Sequence, residues 1–150
     1  MKNTTNSPFL KISAVLWIIW GLVHIGAGTF IIISDPSSGI QGVADAVDSK
    51  SLIMNYPDAM GAILKQHGFN LLWIGLVTFI SAFWIWKGNK NAIFLAAICG
   101  GLADLGYFIF MDLGGYVKFM IGGLMTYVSA AAIILSFYAF FKSRKIPQSD

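Results

Sequence analysis

Two histidines and one aspartate stand out in a chain that is otherwise largely apolar. His24 lies in the apolar stretch 12–33 and Asp104 in the stretch 92–111, each twelve residues past the start of its stretch. A carboxyl beside an imidazole is a proton-handling pair. It can relay a proton, act as a general acid–base couple, or hold the polar end of a bound molecule. Ionisable residues inside a membrane span are rare, usually face the bundle interior, and mark a site by default. The same pair also has a plain structural use, as one buried polar contact that fixes helix register.

Three further residues qualify as neighbours of that pair. His67 and Asn70 are three apart and share a helical face. Asp104, Tyr107, Phe108 and Met111 follow the i, i+3, i+4, i+7 spacing of one face. At 1.5 Å per residue, His24 and Asp104 both sit ~18 Å from the inner edge of a ~30 Å apolar core, and His67 sits ~28 Å from it. A vertical gap of ~10 Å, by the same rise, argues against one metal or haem iron held by both histidines. The ordinary use of His67 is then a polar tip at the outer interface. The ligand-binding candidates are His24, Asp104, Tyr107, Asn70 and His67, and His24 and Asp104 are also the candidates for any catalysis. Asp112 and Lys118 are expected to pair at the head groups, with the lysine stem snorkelling.

Other chemistry finds no residues. Cys99 is the single cysteine, and there is no Glu for a di-iron carboxylate site. Met54, Met60, Met111, Met120 and Met125 form no Met-x-x-Met or His-x-x-Met cluster, so they read as gap-filling side chains and not as a copper site. No metal is expected and no cofactor is signalled. No phosphate loop or Ser/His/Asp order is present.

The elements that must position these residues follow from composition. Of 150 residues, 57% are hydrophobic and 11% charged, where soluble domains run near 25% charged. Mean hydropathy is +0.72. A soluble enzyme, a disordered regulator and a nucleic-acid binder are excluded, and an integral membrane protein remains. Helix is the spanning option, because the apolar runs are continuous and not alternating. The expected spans are 12–33, 64–86, 92–111 and 116–141, forming one all-α, antiparallel four-helix transmembrane bundle. Residues 34–58 make an extracytoplasmic loop and 142–150 a cytoplasmic tail. Lys2, Lys11, Lys87, Lys90, Lys142, Arg144 and Lys145 all fall on one side. The positive-inside rule then puts both termini in the cytoplasm of an inner membrane.

Within the long loop, Ile40, Val43, Val47 and Met54 fall near one helical face, and Gln41, Asp45 and Asp48 on another. A short amphipathic helix is expected there. The chain also resembles itself. Residues 21–26 match 101–106 at three of six positions, and 75–82 match 123–130 at five of eight. A duplicated helical hairpin would make His24 and Asp104 equivalent positions facing one axis. Small residues at Ala97 and Gly101, and at Gly122, Thr126 and Ala130, suit close helix approach or a partner.

Two functions fit. The first is a non-catalytic accessory or structural subunit, or a small-ligand-binding bundle, with a buried His24–Asp104 pair. The alternative is a membrane enzyme or carrier acting on a small hydrophobic molecule (quinone, isoprenoid or lipid) through those two residues. The partners are the lipid bilayer, with a hydrophobic small molecule and a second copy or another membrane protein as candidates. The interior discriminates. A cavity of a few hundred Å³ touching both residues favours a ligand, a filled axis with a direct His24–Asp104 bond favours structure, and an exposed Gly/Ala seam on the last helix favours a partner.

Overall fold

A computed structural model describes residues 7–43, 55–118 and 123–144. The chain is all-α. Helix α1 spans Pro8–Ile33, α2 Pro36–Val43, α3 Asp58–Trp86, α4 Lys90–Tyr107 and α5 Leu124–Arg144. One π-helical turn, Phe108–Asp112, extends α4. Helices α1 and α3, the α4 extension to Asp112, and α5 are long and apolar enough to cross a membrane. The protein is therefore a small multi-pass membrane bundle in contact with lipid.

Local chemistry sets the ends. Pro8 opens α1 at a position whose missing N–H costs nothing. At the close of α3, Gly88 takes φ 78°. Its N–H returns to the Ile85 carbonyl at 2.8 Å, and that of Asn89 to Trp84 at 2.9 Å, a glycine-terminated helix end. Asn89 then caps α4 by accepting from the Asn91 and Ala92 amides. One tight turn thus ends one span and starts the next.

Two expected boundaries shift. Helix α3 starts at Asp58 and not at 64, with an acid in its first turn where the helix dipole favours one. The last helix begins at Leu124, and Tyr116–Lys118 are not helical. Gly115, at φ 75°, turns the chain in a conformation that favours glycine, and the Tyr116 amide returns to Met111 at 3.1 Å. In the long loop, α2 covers positions 40–43 of the expected amphipathic segment, and positions 44–54 lie outside the described residues. Asp35 precedes α2 and accepts from the Ser38 amide at 3.1 Å and the Ser38 hydroxyl at 2.6 Å. These bonds hold its carboxyl below the usual carboxylate range.

Helix α1 packs against α3 and α5, and α4 against α3 and α5. The order around the bundle is α1, α3, α4, α5, so α1 and α4 face each other across the axis. The α1–α3 crossing is closest. A Cβ at Gly21 would lie 2.9 Å from the Gly75 carbonyl oxygen, and one at Gly28 would lie 2.5 Å from that of Gly68. Glycines seven residues apart on both helices allow this approach. The repeat-equivalent Gly101 instead meets the Ile133 side chain, so the second hairpin does not copy the first crossing. Ser13 of α1 donates to the Ala132 carbonyl of α5 at 2.8 Å.

The main core fills the half of the bundle nearest the termini, around Trp17, Trp20, Ile85, Ile93, Ala132 and Phe140, and a smaller cluster of Val117 with Tyr107 and Met111 lies toward the other end. Trp17 is fully buried because α4 has a notch for it. A Cβ on Gly100 would come 2.5 Å from its ring. Three lysines sit over aromatic rings in this half: Lys11 over Trp86, Lys90 over Phe140 and Lys142 over Tyr138.

Candidate functional site

At the inner limit of the packed half, α1 and α4 meet across the axis through polar side chains. The Trp20 indole Nε1–H donates to Asp104 Oδ2 at 2.6 Å. Asp104 is buried, at 4% exposure, and a buried carboxyl needs such partners. His24 is one turn beyond Trp20 on the same face. Its ring stacks on the indole with centroids 3.5 Å apart and planes 16° apart. The Ser129 hydroxyl of α5 is a further polar neighbour of the Asp104 carboxyl.

The hydrogen bond at His24 Nδ1 determines its tautomer. Nδ1 lies 2.8 Å from the Trp20 carbonyl oxygen. A carbonyl oxygen only accepts, so Nδ1 carries the hydrogen. In the neutral ring the lone pair is then at Nε2. That atom faces Asp104 Oδ1 at 3.8 Å, beyond the 2.7–3.2 Å of a hydrogen bond. The pair is brought together but not joined.

Above this pair a space opens among the described residues. A cavity of about 860 Å³ is lined by residues of all five helices and the π turn. His24 and Asp104 lie at its polar end. Ala27, Leu71, Ala103 and Met125 contribute apolar wall, and His67, Tyr107 and Thr126 contribute polar points. The hollow arises where small residues face the interior. A Cβ on Gly106, which lines the cavity, would meet nothing within 4 Å. Val23, Phe110 and Leu124 belong both to the cavity wall and to the exposed surface of the bundle, so the cavity reaches the lipid-facing side.

Four of the sequence candidates, His24, His67, Asp104 and Tyr107, line this cavity. The vertical gap between the histidines is spanned by open space. Asn70 is not on the wall. Its Oδ1 accepts from the Trp73 indole at 3.2 Å on the outer side of α3. The expected Asp112–Lys118 ion pair does not form, since both Asp112 carboxylate oxygens are buried without a hydrogen-bond partner while Lys118 is exposed. Among the described residues no group of three or more His, Cys, Asp or Glu could hold a metal.

The sequence pattern leaves Trp20 unmarked and gives Thr126 only a packing role. Trp20 had one available signal, standing four residues before His24 and hence on its face. Thr126 had only its three-residue spacing from Ser129. Its Oγ is buried and has no partner.

The small residues of α5 are mostly used inside the bundle. Ser129, Ala132, Ser136 and Ala139 are buried, while Leu124, Tyr127, Ile134 and Tyr138 face outward. The outward face is not a Gly/Ala seam.

No family model matches the chain, and no match appears among curated proteins or solved structures. Fold and site together define a small multi-pass α-helical membrane protein with a polar-ended interior cavity.

Proposed function

We propose that the protein is a membrane-embedded binding bundle for a small amphiphilic molecule. One observation carries this reading: the 860 Å³ cavity ends on His24 and Asp104, which lie 3.8 Å apart with no bond between them. A pair serving only the fold would be bonded directly in a filled axis. Cavities of roughly 300–1,000 Å³ suit small-molecule ligands, which are held by apolar walls and a few placed polar groups. The ligand's apolar body would lie along Ala27, Leu71, Ala103 and Met125, with its polar end at His24 and Asp104. It would enter from the bilayer past Val23, Phe110 and Leu124. In this reading the lysine-bearing end faces the cytoplasm and the cavity occupies the outer half of the span.

Gly106→Leu tests it, because the new side chain enters open space. Farnesol and farnesyl methyl ether serve as probes with the protein in nanodiscs. The expected result is a rise in Tm of the parent with at least one probe, no rise for Gly106→Leu, and an unliganded Tm for that variant at or above the parent's. Equal probe-induced shifts in both chains would end the proposal, and so would none in either.

A further inference from the structure

Resting on that binding reading, we infer that the cavity selects a hydroxyl-ended lipophile, an alcohol or phenol, over molecules ending in a carbonyl, an ether or an ammonium group. The argument is a count of donors and acceptors at the polar end. Asp104 Oδ2 is occupied by the Trp20 N–H. His24 Nδ1–H is occupied by the Trp20 carbonyl. Trp20 thus uses one hydrogen-bonding site on each partner, the neighbouring Ser129 hydroxyl spends its hydrogen on the Thr126 carbonyl at 3.1 Å, and one atom of each partner is left facing the gap. These are Asp104 Oδ1 and His24 Nε2, and one oxygen can lie within hydrogen-bonding distance of both across 3.8 Å.

A net charge is costly in an apolar interior, so in its neutral state the pair holds one exchangeable proton. With it on Asp104, the carboxyl donates and Nε2 accepts. With it on His24, Nε2–H donates and the carboxylate accepts. Either way the gap offers one donor and one acceptor. A hydroxyl oxygen accepts one hydrogen bond and donates one, so it completes the set in both cases. A carbonyl or ether oxygen only accepts and leaves one buried atom unpaired, which is costly in an apolar interior. An ammonium only donates and would meet the shared proton. A site built to bond a hydroxyl rejects analogues lacking it far more strongly than an apolar wall can. Thr126 points the same way. Its Oγ, buried on this cavity without a partner, is a further hydrogen-bonding atom for a polar ligand end.

The test uses the parent chain, so it does not depend on a variant folding. Farnesol, farnesyl methyl ether, farnesal and farnesylamine share one apolar body and differ at the end group. Kd values are taken from titrations of Tm in nanodiscs. The second readout is the ¹⁵N resonance of His24 Nε2 in ¹⁵N-histidine-labelled protein, assigned with His67→Gln, since the chain has only two histidines. Farnesol is expected to bind at least tenfold more tightly than the other three and to move the Nε2 resonance, which the ether leaves in place. His24→Ala is expected to bring the alcohol-to-ether ratio near one. Equal affinity for all four probes would overturn the hydroxyl preference while leaving the cavity a binding site. Preference for the amine would overturn it in favour of a cation site. No probe binding by any readout would remove both this inference and the function beneath it.

Discussion

Trp20 holds both members of the polar pair, through its N–H to Asp104 and its carbonyl and ring to His24. Trp20→Phe keeps a ring and removes the donor, leaving a buried carboxyl oxygen unpaired. It is expected to cost about 1–3 kcal/mol, read as a lower Tm in detergent. His24 and Asp104 lie 3.8 Å apart and share Trp20 as a partner, so they belong to one network. A double-mutant cycle of His24→Ala with Asp104→Asn is expected to show coupling of about 0.5–3 kcal/mol. Coupling below about 0.5 kcal/mol would make them independent. At the α2 cap, Asp35 has a depressed folded pKa through its Ser38 bonds. Its contribution is therefore present above the ordinary carboxylate value and lost as pH falls through the lower folded one. Amide exchange at Ser38 and Gly39 should accelerate only on that acid side. The shared depth of His24 and Asp104 could be counted along each helix, since depth depends only on the rise per residue. Trp20 and Asn70 could not be placed in that way. Their roles depend on how each helix is rotated, and Asn70 turned toward Trp73.

The helices divide into one tight crossing and one loose corner, and their glycines separate accordingly. Gly28→Ala and Gly75→Ala each drive a methyl against backbone of the facing helix, so the whole α1–α3 crossing must open. Overpacking of this kind costs about 1–3 kcal/mol. Gly106→Ala has the opposite sign, since its Cβ enters open space and alanine is favoured over helical glycine by about 0.5–1 kcal/mol. Thermal melts of the three variants should straddle the parent. The seven-residue spacing of Gly61, Gly68 and Gly75, matched by Gly21 and Gly28, was visible in the sequence. Its meaning was not, because four-residue small-residue patterns at Ala97 and Gly122 are equally compatible with close packing. Helix α5 starts later than hydropathy implies for a related reason. Hydropathy runs on through Tyr116–Lys118, but Gly114 and Gly115 turn the backbone first.

Across the whole molecule most of the lysines follow the packing, with Lys65 and Lys118 toward the other end. Lys11, Lys87, Lys90 and Lys142 gather at the filled end. In a Cys99→Ser background, Lys87→Cys should react with a membrane-impermeant maleimide only after cells are opened, and Asp58→Cys in intact cells. The reverse pattern would invert the orientation. The four-span bundle was legible because it needs only length and apolarity. The division into a filled half and a hollow half was not, since it depends on which small residues happen to face one another.

That division has a consequence for how affinity behaves. A hollow that reaches the lipid-facing surface at Val23, Phe110 and Leu124 is open to the hydrocarbon tails around it. Dispersion contacts are lost wherever a wall has no neighbour, so an acyl chain is the default tenant. Any specific molecule then enters by exchange with a tail. Its apparent affinity becomes a property of the membrane as much as of the protein, weaker where the tails fit the hollow well and stronger where they fit it badly.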